Sequence, residues 1–323
     1  MSLGCESGDS DARFNTYFDA LIAELGHADH AGPFQSYCNG LLLSGERKSV
    51  EPMAARLEPE RVQAKHQAMH HVVAKADWPD EAVLSAVRAQ VLPAIERYGA
   101  ITAWIIDDTG FPKKGTHSVG VARQYCGQLG KQDNCQVAVS LSVANDHASL
   151  PIAYQLYLPE AWAEDHARRR KAGVPDDIAF RTKPQIALAQ LRAALLAGVP
   201  SAVVLADAGY GVDAAFRDGI TELGLPYVVG IQSTTTLWPP GQAPLPPQPW
   251  SGRGRRPTRL RHDETHKPVS AKDLALGLPN KAWRRVTWRE GTNTKLASRF
   301  PLCGCAPPRV TPAAANRALR NGA

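Results

Sequence analysis

The spacing of the apolar residues changes once along this chain, near residue 100, and that change restricts the folds open to it. Before it, hydrophobic side chains recur at helical intervals. "TYFDALIAEL" places Phe18, Leu21, Ile22 and Leu25 on one face. "ERVQAKHQAMHHVVAKA" is a second such segment, and "PDEAVLSAVRAQVLPAIERYG" a third. In the third, Asp80 reads as the N-cap, Leu84, Val87, Val91 and Ile95 share a face, and Tyr98-Gly99 is the stop. After the change, "ITAWIIDD", "HSVGVARQYC" and "NCQVAVSLSVAN" read as strands, the last two joined through the hairpin chemistry of "GQLGKQD". A polar stretch, "YLPEAWAEDHARRRKAGVPDD", comes next. "KPQIALAQLRAALLAG" then forms a helix stopped by Gly198, followed by the strand "SAVVLAD", the helix "VDAAFRDGITELG" and the strand "PYVVGI". Three adjacent strands and then helix-strand alternation predict the α/β class: a mixed sheet with helices on its faces, behind an N-terminal helical domain.

With 323 residues, 44% of them hydrophobic, the chain can bury more than one core. The patterns divide it into a helical domain at 1–97, a sheet core at 98–231, a basic, Pro-rich region at 232–300 and a tail at 301–323. Residues 232–282 break all regular spacing. "WPPGQAPLPPQPW" cannot be a helix or a central strand, and "SGRGRRPTRLRH" carries Arg253, Arg255, Arg256, Arg259 and Arg261. "RRVTWREGT" predicts a return to strand. The tail from Pro301 contains no Asp or Glu.

Six scattered cysteines without a CxxC pair argue against a disulfide framework or a zinc ribbon and for reduced thiols in the cytoplasm. No apolar run reaches the roughly 18 residues of a membrane span, and the N-terminus has no signal-peptide pattern. Lys and Arg outnumber Asp and Glu by 37 to 31, a net charge of +6, which permits a nucleic-acid or phosphate partner without requiring one.

The chemistry concentrates in two places. Asp107 in "AWIIDDTGFPKKG" and Asp207 in "SAVVLAD" each stand at the C-terminal end of an expected strand, where ligand sites gather in such sheets. Carboxylates brought together repel unless a cation lies between them, and Mg²⁺ often takes one or two carboxylates plus substrate phosphates. The plainer reading of either aspartate is a turn former or a helix N-cap. A phosphatase loop of D-x-D-x-T type fits poorly, because Asp107 and Asp108 are adjacent and point to opposite faces of a strand.

Three segments, "WIIDDTGFPKKGTHSVGVARQYCGQLGKQDNCQVAVSLSVAN", "QLYLPEAWAEDHARRRKAGVP" and "LADAGYG", resemble the DDE-type insertion-sequence transposases of the IS-seven-hundred-one group, relatives of the IS-four family. The resemblance runs from roughly residue 15 to 300 and is densest between 100 and 231. It implies a ribonuclease-H-like core, an inserted basic β region that touches transposon-end DNA, and an Asp, Asp, Glu triad holding two Mg²⁺ or Mn²⁺ ions. It also implies a nucleoid-associated enzyme that cuts and transfers DNA strands at terminal repeats, with double-stranded repeat and target DNA as partners and a homodimer on DNA.

By the same resemblance the family's D-x-T pattern selects Asp107, with Asp108 as the alternative first carboxylate, and the second aspartate is Asp207. The third carboxylate belongs to an R-x3-E-x2-Y signature that this sequence does not contain. Glu290 precedes the place expected for it. A frameshift or early stop near Pro301 is the expected cause, and the alternative function is a catalytically inactive remnant that still binds DNA.

Neighbouring residues carry weaker expectations. Lys113 and Lys114 either contact phosphates or are solvated turn lysines, and Arg123 either reaches DNA or pairs with an acid. The arginines from 253 to 261 either bind phosphates, with Trp238 or Trp250 as stacking surfaces, or belong to a disordered basic loop. Cys126 and Cys135 flank the hairpin and are expected to face each other, as small buried thiols rather than ligands. Gly209 and Gly211 allow a tight turn around Tyr210. His66 and His70, an i, i+4 pair, lack the third ligand of a zinc site.

Overall fold

The computed structural model describes residues 7–290, 295–301 and 303–305. Cys5, and all of the 301–323 tail except Pro301 and residues 303–305, lie outside the described residues. The chain divides into two compact units, 1–181 with 189–203 and 182–188 with 204–323.

The first unit begins with five helices: α1 (Ser7–Ala23), α2 (Ala31–Leu42), α3 (Val50–Leu57), α4 (Val62–Ala74) and α5 (Asp80–Glu96). Phe18, Leu21 and Leu25 are buried with Phe34 and Val72, as the helical spacing requires, while Met53, Ala54 and Met69 form a second small core. Helices α2 and α3 fall inside the stretch read as helical but were not singled out as segments; they are 12 and 8 residues long. Asp80 is the first residue of α5 and Pro79 holds the cap position; the Asp80 carboxylate accepts from the Glu81 N–H at 2.9 Å.

Four strands follow: β1 (Ala103–Pro112), β2 (Ala122–Cys126), β3 (Lys131–Ala144) and β4 (Ser149–Leu156). Strand β3 is the organiser. It pairs antiparallel with β1 along the whole of that strand, and also with β2 through its N-terminal end and with β4 through the rest. Gly130, at φ +64°, closes the β2–β3 turn, a backbone state that glycine reaches without strain.

Three expectations change here. Strand β4 joins the three expected strands; Pro151 and the polar ends of "SLPIAYQL" hide it in the sequence, and the register shift at Leu141/Ser142 lets β3 accommodate it. Strand β1 does not end at the aspartates but runs on to Pro112, because β3 is long enough to pair with all of it. Cys126 and Cys135 are not opposite each other: Cys126 pairs with Lys131 and Cys135 with Ala122; neither is in a disulfide, both are buried beside Val137, and the Cys135 thiol donates to the Gln124 carbonyl at 3.7 Å.

The polar stretch after β4 folds into two short helices, α6 (Glu160–Ala163) and α7 (His166–Lys171). They are anchored by Trp162, which is buried with Val121, Leu158, Ala163 and Val174. Helix α8 (Lys183–Leu196) ends before Gly198, which takes φ +72°. Strand β5 (Val203–Ala206) opens with the Val203 N–H donating to the Thr102 carbonyl at 3.3 Å.

In the second unit come α9 (Ala208–Gly211), α10 (Ala214–Glu222) and β6 (Tyr227–Val229), which runs parallel to β5 in the register Val204–Tyr227, Leu205–Val228 and Ala206–Val229. Parallel neighbours need a crossover, and α9 with α10 supplies it. Short strands β7 (Thr236–Leu237) and β8 (Val269–Ser270) pair, and α11 (Ala271–Gly277) follows under a Ser270 cap. Strands β9 (Trp283–Glu290) and β10 (Lys295–Pro301) pair antiparallel, so "RRVTWRE" does return to strand, and Gly291 and Thr292 lie outside the described residues. The chain is thus a mixed α/β fold with antiparallel and parallel pairing. No helix of the described residues is long and apolar enough to cross a membrane.

Candidate active site

Asp107 and Asp108 lie on opposite faces of β1, and the register with β3 shows how different those faces are. Asp108 stands opposite Val139, and its neighbours along that face are Trp104, Ile106, Leu141 and Val137, all buried. Asp107 stands opposite Ser140, on a face that continues with Thr109, Ala138 and Ser142. Asp107 is exposed and Asp108 half-buried. The Ser140 hydroxyl donates to the Asp107 carbonyl at 3.2 Å, and the Asp107 carboxylate accepts from the Asp108 N–H at 2.7 Å through one oxygen. The Asp108 charge is felt on the apolar side: burial raises the pKa of the Tyr157 hydroxyl, and the Glu160 and Asp108 carboxylates raise it further.

Asp207 follows β5 directly. It is the N-cap of α9, with one carboxylate oxygen accepting from the Gly209 N–H at 2.8 Å. The plain capping role therefore exists, and it occupies one oxygen of an exposed carboxylate. Gly209 and Gly211 do not take left-handed backbone, so their role is not the turn freedom expected of them. At Gly211 the reason is space: a Cβ there would come within 1.9 Å of the Gly230 carbonyl oxygen and 2.9 Å of Val229. Only glycine lets α9 meet the end of β6 this closely.

The two carboxylates belong to different units. Each keeps an oxygen outside these hydrogen bonds, and as hard oxygen donors they fit Mg²⁺ or Mn²⁺. Among the described residues no three His, Cys, Asp or Glu side chains gather as a metal-holding group. His66 and His70 have ring centroids 5.9 Å apart without a third partner of that kind among the described residues.

Lys113 and Lys114 are exposed, on a loop whose backbone is fixed. The Lys113 N–H donates to the Asn134 carbonyl at 2.9 Å, and the Asn134 amide donates to the carbonyls of Lys113 and Gly115 at 2.7 and 2.8 Å. Arg123, exposed on β2, adds its charge to the environment of Asp133. That carboxyl is lowered chiefly by the Asn134 N–H and by Lys131. Arg253, Arg255, Arg256 and Arg259 lie exposed in irregular chain, while Arg261 pairs its backbone with Leu245 and donates from Nε to the Pro246 carbonyl at 3.0 Å. Trp238 is buried at 3% exposure and cannot stack on a ligand; Trp250 is 53% exposed.

Sequence reasoning passed over "EAWAEDHARRRK" as merely polar. A lone tryptophan inside a charged run was the available signal that the segment packs. Ser140 had no signal, since only the register places it opposite Asp107.

Comparison with known proteins adds the following. A family model described as "DDE superfamily endonuclease" matches residues 20–295. A "Probable transposase for insertion sequence element IS701" from Microchaete diplosiphon is 33% identical over 168 residues, covering 52% of this chain. The match spans 41% of that relative's length.

Proposed function

Because the chain belongs to the DDE superfamily endonuclease family, we propose that it is the transposase of an insertion sequence, cutting and transferring DNA strands at the element's terminal repeats. The family match is the observation that carries this reading. Within it, residues 98–231 form the ribonuclease-H-like core, 1–97 a helical domain that contacts DNA, and 232–300 an inserted basic, Pro-rich region. The chain works on nucleoid DNA in the cytoplasm, as a homodimer across two ends.

Asp107 and Asp207 hold the divalent ions through their carboxylates and make no covalent bond to DNA. Bound Mg²⁺ or Mn²⁺ supplies Lewis acidity for in-line attack on a phosphodiester by water and then by a DNA 3′-hydroxyl. Asp107 is preferred over Asp108 because Asp107 is exposed beside exposed Thr109, opposite Ser140, whereas Asp108 is half-buried on the face of Trp104, Ile106 and Leu141. Ser140, by binding the Asp107 carbonyl, fixes the strand where the carboxylate leaves it. Asp207 is held by its cap to Gly209. Lys113, Lys114, Arg123 and the arginines from 253 to 261 contact phosphates along the bound DNA.

A second reading keeps DNA binding without cleavage. It is favoured by a specific observation: residues 1–323 contain no R-x3-E-x2-Y signature. A supercoiled plasmid carrying the element's terminal repeats, incubated with the protein and Mg²⁺, separates the two. Cleavage abolished by Asp107→Asn supports the enzyme. Retention of the DNA uncut supports the second reading, and neither retention nor cleavage overturns both.

A further inference from the structure

We propose that the loop 113–118 and helix α7 together form a rigid seat for the phosphate backbone of duplex DNA, an inference that rests on the transposase reading and assigns it a binding surface. Helix α7 and the loop are far apart in sequence, yet one side chain ties them. The Arg168 guanidinium donates to the Thr116 carbonyl at 2.7 Å and lies 3.6 Å from the centroid of the Trp162 ring. Trp162 is 1% exposed and donates from Nε1 to the Val121 carbonyl at 2.7 Å, so the platform under Arg168 cannot tilt. The other side of the loop is held by Asn134.

Beneath this surface lies a charge without a counterion. Arg169 is 7% exposed, and its guanidinium is bound by carbonyls alone: Ala163 at 3.1 Å, Pro175 at 2.8 Å, Ile178 at 2.7 Å and Asp176 at 3.4 Å. Carbonyl dipoles satisfy its donors but leave its full positive charge. Lys113, Lys114 and His117 of the loop and His166, Arg170 and Lys171 of α7 are exposed. Among the described residues, no carboxylate lies within ion-pair distance of Lys113, Lys114, Arg168, Arg170 or Lys171. The acids of the same segment do not cancel this. Asp165 caps α7 through the Arg168 N–H at 2.9 Å, and with Glu160, Glu164, Asp176 and Asp177 it makes five carboxylates against the six Lys and Arg side chains of the loop and α7, a small positive excess.

Unpaired cations on two segments, fixed by directed backbone bonds, suit a ligand of repeating negative charge and defined spacing. Duplex phosphate has both properties. The loop also continues directly from β1, the strand that carries Asp107.

The test uses the full chain and a labelled duplex of arbitrary sequence, with binding followed by anisotropy across a salt series. Arg170→Ala with Lys171→Ala, and separately Lys113→Ala with Lys114→Ala, are expected to raise Kd about tenfold and to reduce the log–log salt slope by about 1 to 2. The control Arg192→Ala removes an exposed charge from α8, outside the segments assigned to DNA, and is expected to change Kd less than about twofold. The seat is overturned if both seat variants bind like the parent, if the control loses as much, or if the parent binds anionic vesicles but no duplex. Loss of the seat with plasmid cleavage intact leaves the transposase reading standing. Binding through the seat with no cleavage does the reverse.

Discussion

The two aspartates that the sequence marks alike stand in unlike surroundings. Asp107 is held by a ladder: β1 pairs with β3 over its full length, and the period of two alone decides which face each side chain takes. Asp207 sits where a strand stops, held by one Asx-type bond to Gly209 and by a helix packed so close to β6 that Gly211 tolerates no side chain. In the first region the direction of the carboxylate comes from register, and in the second from a cap and a steric limit. The same chemistry can therefore be damaged by different means in the two places, and this makes the comparison testable.

The largest effect is expected on cleavage. Asp107→Asn and Asp207→Asn should each reduce plasmid cleavage about a thousandfold or more, since on the proposed transposase reading each removes a charge that would hold the metal. Asn is itself a good N-cap, so Asp207→Asn should unfold at the parent's urea midpoint. A Asp108→Asn protein that loses as much activity as Asp107→Asn would reverse the choice of face. Next in size, Gly211→Ala should destabilise the chain by about 3 kcal/mol, read from urea unfolding, because the new methyl meets a backbone carbonyl that cannot move aside.

Smaller effects sharpen the contrast. Asp207→Ala should cost about 1 kcal/mol as a lost cap, whereas Asp107→Ala, exposed on its strand, should stay within about 0.5 kcal/mol of the parent. Equal losses would mean that the two aspartates are not held differently. Ser140→Ala should cost about 1 kcal/mol or less, through the lost bond to the Asp107 carbonyl. Asp263 provides an exposed reference. The N–H of His266, then the Thr265 hydroxyl and N–H, hold its carboxyl down to about 2. A lowered carboxyl contributes above its ordinary pKa and loses that contribution as the pH falls through the folded value. NMR titration should accordingly show the 263–266 turn intact at pH 4 and opening toward about pH 2.

Much of the first unit was legible from spacing. Phe18, Leu21 and Leu25 recur at helical intervals and are buried together. The helix before Gly198 and the strand before Asp207 also stand where the pattern put them. What stayed hidden had weak local signals. Strand β4 carries Pro151 and exposed ends, and α3 is only 8 residues long. Trp238, read as a possible stacking surface in a Pro-rich stretch, is buried, because composition says nothing about which side chain a loop turns inward.

By itself the sequence determined the helical character of the N-terminal region, three strands and the later helix-strand alternation, the basic and acid-free segments, and the presence of two aspartates in family-like contexts, since these depend on local spacing and composition. Only the tertiary structure decided which of Asp107 and Asp108 faces Ser140 and which faces Val139, because register arises from pairing with a strand some thirty residues away. The tertiary structure also made Gly211 obligatory through the Gly230 carbonyl, and turned "EAWAEDHARRRK" from a polar run into a surface built on a buried tryptophan and a buried arginine. Those outcomes depend on close packing and directed hydrogen bonds between residues far apart in the chain, which no local pattern encodes.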